Sequence, residues 1–593
     1  MPASSWCPDT AVIDVHLDLR DPGSHLVGVE LQFLPRFTQL RLRLPGWTPG
    51  SYLIRDYVRH LEALEVQQGD ALLPLQRLGP ACWQVGVDPH GPELRIRYRV
   101  LATELSVRTC HLDQDHGFLA LAGVVLEVEG ERWSAHRLRC QLPPHWYAFT
   151  PLPGDPSATE GAIARDYDQL LDSPLEAGPH VVHRFEVAGV PHRWLTWAGP
   201  AAAEGWLLER FPSLLADVQR VCLACCQLMG EPRPAAHHYL FILHLLDEGY
   251  GGLEHDDASV LVYGRRNLEK PGGYRKLLQL VAHEYLHQWN VRRLRPAELT
   301  PIDYHQPVPT PSLWFAEGVT SYVDQLLPLV AGLSSPDEVL EDLGADLSRY
   351  KLTPGRAVQS LRSSSQEAWV KLYRADAYAG DSQVSYYLKG AVVALCLDLH
   401  LRSQGSCLAE VLQALWRSHG RCGRGYSETD LLEAFAARST ELRQLLPQWL
   451  NSLDDPDLDS CLQQVGLLLV PVQGSSPWIG VSVAVENGQL LARRVQRGSA
   501  AETAGLCVGD ELLALEGQRL RQPEDLSGGL RCGVSQELLI SRRCQVRSLT
   551  LCAQPAASER YRLVVDTNAS HAATEQRQRW LSLLANAAPL ESP

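Results

Sequence analysis

The sequence predicts a multidomain α+β protein: an N-terminal β-sandwich, a mixed α/β segment with a helical second half, and a C-terminal β domain. Three observations carry that prediction. Residues 10 to about 170 alternate apolar and polar at period two, as in "AVIDVHLDL" and "LRIRYRVLA", with the turn clusters DPGS and DPHGP between them. Such alternation marks antiparallel sheet with one buried face. Around residue 201 the period lengthens to that of a helix, and from 312 to about 450 helical patterns dominate. Short strands return from about 474.

These shifts divide the chain into residues 1–175 (antiparallel β), 176–460 (mixed α/β, helical from about 312), 470–560 (β) and 561–593 (a terminal helix and tail). The 593 residues suffice for three or four domains at roughly 150 residues each. An apolar fraction of 45% supports sizeable cores. The net charge of −15, spread without long like-charge runs, argues against a nucleic-acid surface. Fifteen scattered cysteines without disulfide-framework spacing fit a reducing compartment. The first residues show neither a basic nor an apolar leader region, and no apolar run approaches the roughly 20 residues that span a bilayer. A cytoplasmic protein without membrane partners is expected.

"VAHEYLHQWN", residues 281–290, carries the chemistry. On a helix, positions i and i+4 share a face, so His283 and His287 can aim ring nitrogens at one point. Glu284 sits one step round, within reach of a water on a bound ion. Neutral imidazoles suit Zn²⁺, and catalytic zinc takes three protein ligands plus water. The third ligand should lie on a following helix. "LWFAEGVTSYV" offers Glu317 among apolar and aromatic residues, where a lone carboxylate needs a compensating charge. Glu298 and Asp303 are weaker rivals, because they lie in a proline-rich connection.

Taken together, "HEYLHQWNVRRLRPAEL", "WFAEGVTSY", "SYYLKG" and "LPGWTPGSYLIRDYVRH" resemble the glycyl aminopeptidase family, family sixty-one of the metallopeptidases in the gluzincin group. The resemblance covers most of the chain and implies a thermolysin-like catalytic domain between a β domain and a PDZ domain. It implies one zinc per chain on His283, His287 and Glu317, with Glu284 as general base. It also implies a tyrosine that donates to the oxyanion: Tyr387 in Y-x-K-G, with Tyr386 as the alternative. "GYGGLEH" resembles the substrate-edge strand of related aminopeptidases, so Glu254 would hold the peptide's α-ammonium while Gly251 and Gly252 let its backbone approach. A preference for small N-terminal residues, Gly or Ala, follows from the resemblance alone.

"WIGVSVAVENGQLLARRVQRGSAAETAGLCVGDELLALEG" resembles a PDZ domain, with Ile479, Gly480 and Val481 at the groove that would take an extended peptide. The same module could instead serve as a packing lid or a contact in a homo-oligomer. "CLAC" at Cys222–Cys225 reads as buried core, and Arg292, Arg293 and Arg295 as partners for carboxylates and helix carbonyls. The leading function is zinc aminopeptidase action on peptides. The alternatives are a zinc endopeptidase and a non-catalytic, peptide-binding adaptor.

Overall fold

The computed structural model describes residues 12–199 and 205–583, which fall into two compact units. Among the described residues the first comprises 12–199, 205–308, 330–333 and 412–427; the second comprises 309–329, 334–411 and 428–583. The terminal stretch from 584 lies outside the described residues, and the helix expected before it spans His571–Leu581.

The first unit opens with an eight-stranded sheet and two four-stranded sheets. The period-two pattern does what it predicts. In Val12–Asp18 and Leu26–Phe33 every second residue is buried, and Leu94–Leu101 alternates fully between buried and exposed. Ile13, Val15, Leu17, Val29, Leu31, Ile96 and Tyr98 therefore form one inward face. One pair departs from the antiparallel expectation: Val12–Asp18 runs parallel to Ala135–Gln141. Alternation reports which face is buried and carries no information on strand direction, so this pairing was not readable from the pattern.

A mixed five-stranded sheet follows. Its strands are β1 (Val182–Val187), β2 (Val190–Trp197), β3 (Tyr239–Leu246), β4 (Tyr250–Glu254) and β5 (Ala258–Gly264), in the order β1-β2-β3-β5-β4. β3 pairs in parallel with β2 and β5 and is buried along nearly its whole length, as a central parallel strand should be. β4 pairs only with β5 and forms the outer edge. Helices α1 (Leu214–Met229) and α2 (Gly273–Leu286) pack against each other in this unit. Cys222 and Cys225 lie fully buried in α1, as read from their apolar surroundings.

In the second unit α3 (Tyr386–Ser403) is buried almost throughout and crosses the segment Trp314–Gly318. The crossing is close because two glycines meet: a Cβ on Gly318 would lie 2.5 Å from the Gly390 Cα. The C-terminal module has its own core, including Leu490, Ala492, Leu512, Leu538 and Ile540, under a sheet with Val481–Glu486 at one edge and Gln545–Cys552 at the other. All fourteen described cysteines are free thiols, and the exposed ones are Cys422, Cys507, Cys532, Cys544 and Cys552. No helix among the described residues is long and apolar enough to cross a membrane.

Candidate active site

The site in the first unit is built on α2, which is fixed at two points along its length and at a third just past its end. The Tyr263 hydroxyl donates to the Gly273 carbonyl at 2.7 Å, and Tyr285 hydrogen-bonds His192 Nε2 at 2.9 Å. Gln288 accepts the backbone N–H groups of Ala235 and Ala236 at 2.9 and 3.1 Å. These bonds set the rotation of the helix and thereby the direction of the residues between them.

The sequence suggests one helix through Asn290, but α2 ends at Leu286 and His287 is its capping residue. His287 Nδ1 donates to the Asn290 carbonyl at 2.6 Å. The chain goes on in wider turns, with Arg292 N–H on the His287 carbonyl at 2.9 Å and Leu294 N–H on the Trp289 carbonyl at 2.7 Å. The i, i+4 relation of the two histidines survives: their rings stand perpendicular, 4.7 Å apart. With Nδ1 of His287 donating, the neutral ring keeps its lone pair on Nε2, which is the tautomer a metal ligand needs.

Glu254 and Glu284 join His287 in one group, their ligand-type atoms all within 4.8 Å of one another. Both carboxylates are buried. β4 brings Glu254 there, and Gly252, two residues earlier and on the same face, has no side chain where one would overlap the Glu284 carboxylate. Glu254 Oε1 has no hydrogen-bond partner among the described residues. A loop of the β domain presses on it: Gly50, at φ +85°, would place a Cβ 2.6 Å from both Glu254 carboxylate oxygens. Trp47 anchors that loop by donating to the Asp303 carbonyl at 2.8 Å. Behind Glu254 lies a small cavity of about 20 Å³, lined among others by Trp47, Gly50, Tyr52, Arg292 and Arg295, large enough for a single water.

The arginine tract behaves as its surroundings suggest. Arg292 pairs with Asp172 at 2.6 Å and with Asp256 at 2.9 Å, Arg293 with Asp257 at 2.9 Å, and Arg295 donates to the Arg292 carbonyl at 2.9 Å. Burial would raise the Asp256 carboxyl, but the charges of Arg292, Arg293 and Arg295 hold it well below the usual carboxylate range. Of the weaker ligand candidates, Glu298 is exposed, and Asp303 accepts from the His305 N–H at 2.9 Å and from Gln306 at 2.7 Å.

Glu317 belongs to the second unit. It is buried in Trp314–Gly318, a π-helical turn rather than the α-helix its pattern suggests, which runs straight into Val319–Val323. Such wide turns re-aim a side chain and recur at functional sites. In the same unit Tyr386 and Tyr387 begin α3 with stacked rings 4.7 Å apart, and the Tyr373 hydroxyl contacts both of theirs, at 3.3 and 3.2 Å. Tyr386 is fully buried, whereas Tyr387 is partly exposed. In the C-terminal module Ile479 belongs to the core, Gly480 takes φ +78° against the Ser499 side chain, and Val481 opens the edge strand Val481–Glu486.

Sequence reasoning missed Gly50, the Gly318–Gly390 contact and Arg108, whose guanidinium donates to the Gly252 carbonyl at 3.2 Å. Gly318 and Gly390 were visible only as the residues that follow Glu317 and Lys389. Nothing local marked Arg108.

Comparison with known proteins agrees with the architecture. The family model for M61 glycyl aminopeptidases matches residues 276–393, that for the peptidase M61 N-terminal domain matches 14–179, and a PDZ domain matches 492–543. The crystal structure of an aminopeptidase N family protein from Idiomarina loihiensis is 28% identical, covers 96% of this chain and 100% of its own, and superposes with a TM-score of 0.88. An M1 zinc metallopeptidase from Deinococcus radiodurans is 16% identical over 76% of this chain and 95% of its own, at a TM-score of 0.46. Yeast LTA4 hydrolase in complex with bestatin is 13% identical over 77% of this chain and 71% of its own, at 0.47. No curated protein matches the chain. The resemblance to M61 glycyl aminopeptidases with a PDZ domain is borne out, and the chain is a metallopeptidase of aminopeptidase type.

Proposed function

We propose that this metallopeptidase is a zinc aminopeptidase that removes small residues such as Gly or Ala from peptide N-termini, with one zinc per chain on His283, His287 and Glu317. The carrying observation is the grouping of Glu254 and Glu284 beside His287 at a strand edge. Two buried carboxylates so close repel each other and call for positive charge, which a dication and a substrate ammonium supply. The donor set fits: two imidazoles, one in the required tautomer, and a buried carboxylate are ordinary catalytic-zinc ligands. Zinc there would bring the pKa of bound water towards about 7 and polarise the scissile carbonyl.

The chain's own residues do the rest. Glu284 takes the proton of the attacking water and passes it to the leaving amine. Tyr387, the more accessible of the stacked pair, donates to the developing oxyanion. Glu254 grips the α-ammonium, so only the first peptide bond reaches the base. β4 offers its outer edge to the substrate backbone, which needs no side chain at Gly251 or Gly252. We propose four parts to the chain: residues 1–175, 176–460, 470–560 and 561–593. For the C-terminal module we propose capture of an extended peptide at the outer strand Val481–Glu486, with Ile479 and Gly480 contributing backbone only. A cytoplasmic location remains our reading, in keeping with the free thiols.

The test is a panel of aminoacyl-nitroanilides and peptides. Purified protein is expected to carry about one zinc, to lose activity to a chelator, and to leave N-acetylated peptides intact. Cleavage of acetylated peptides would instead make it an endopeptidase, and absence of both zinc and hydrolysis would make it an adaptor. Glu254→Ala should keep its zinc yet lose about 2–5 kcal/mol of transition-state binding to free-amine substrates, roughly 30- to 4000-fold in kcat/KM. Unchanged kinetics would reject the anchor, and lost zinc would make Glu254 a ligand.

A further inference from the structure

Arg108 occupies a position that the proposed chemistry leaves without an assignment. Its guanidinium reaches from the β domain to the Gly252 carbonyl of β4, the outer strand of the peptidase sheet. It is held there from behind: the buried Tyr57 donates to the Arg108 carbonyl at 2.8 Å, and the Arg108 N–H bonds the Ser106 hydroxyl at 3.2 Å. Arg108 Nε is buried without a hydrogen-bond partner. No carboxylate lies within 4.0 Å of the guanidinium among the described residues. This is a partly buried cation whose one acceptor is a neutral carbonyl, at the edge where a substrate strand would add.

A cation so placed invites an anion. Distance along the strand says which one. Gly252 and Glu254 are two residues apart, about 7 Å at the rise of a strand. An extended dipeptide also measures about 7 Å from amine to carboxylate. A peptide whose ammonium sits on Glu254 and whose first peptide bond passes Glu284 brings its second carboxyl group to the neighbourhood of Arg108. We infer that Arg108 forms a carboxylate subsite, making free dipeptides the favoured substrate class. The inference rests on the aminopeptidase reading of Glu254 and adds the recognition of the far end of the substrate. A longer peptide presents an amide there, forms no ion pair, and must displace the arginine from the Gly252 carbonyl.

The alternative is a staple that joins the β domain to β4 and has no part in binding. Three substrates separate the two: alanyl-alanine, alanyl-alanine amide and alanyl-nitroanilide, each assayed with wild type, Arg108→Ala and Arg108→Gln. Wild type should prefer the free acid to its amide by about tenfold or more. Arg108→Ala should remove that preference, mainly through KM, while hydrolysis of the amide and the nitroanilide stays within about threefold. Arg108→Gln keeps a donor for the Gly252 carbonyl and should lose the preference as well. An equal fall on all three substrates, a free-acid preference that survives in Arg108→Gln, or no preference in wild type overturns the subsite. Failure of wild type to cleave any free-amine substrate would instead overturn the aminopeptidase reading itself.

Discussion

Replacing Glu284 by glutamine should lower kcat by about 10²–10⁴-fold with zinc content unchanged. The substitution preserves size and shape, and Gly252 leaves open the space that the side chain occupies. What changes is basicity, because an amide does not take a proton near neutral pH. The loss should therefore fall on kcat, with KM for a good substrate moving little. Elemental analysis beside steady-state kinetics makes the result decisive. A variant that loses metal along with activity would assign Glu284 to coordination, and one with normal kcat would remove it from the mechanism.

The second large effect is on stability. Arg292 is 4% exposed and neutralises Asp172 and Asp256 together. Arg292→Ala would take the nearest cation from two partly buried carboxylates, which keep His255 (Asp172) and Arg295 (Asp256), a loss of about 3 kcal/mol. The pH dependence has a definite sign. The Asp256 carboxyl is depressed in the folded protein, so its contribution is complete at neutral pH and fades as pH falls below about 4. The gap between wild type and variant should accordingly be widest near neutrality and shrink in acid. Urea midpoints at about pH 7 and about pH 3 measure it. A gap independent of pH would show that lost packing, rather than lost charge, is the cause.

The features that were legible are those imposed by repetition or by burial. Period two gave the inward faces of the β domain, and an i, i+4 histidine pair on an apolar helix gave the face of α2. Arg292 to Arg295 could be assigned because buried cations need carboxylates, and Asp172, Asp256 and Asp257 supply them. Other features depend on contacts made at a distance in sequence. The π-helical turn around Glu317 follows a crossing set by Gly390, more than seventy residues on. Gly50 and Arg108 reach the peptidase sheet from a domain whose strand pattern speaks only of its own core. The parallel pairing of Val12–Asp18 with Ala135–Gln141 is likewise a matter of topology.

Four of the five exposed cysteines, Cys507, Cys532, Cys544 and Cys552, belong to the C-terminal β module. Thiol chemistry demands access, so alkylating reagents and oxidants would act there and at Cys422 while the sealed sulfurs of α1 stay inert. In a Cys7→Ser, Cys422→Ser background a maleimide dye would decorate this module first, giving a spectroscopic handle on the C-terminal part of the chain that leaves the sealed thiols of α1 unlabelled.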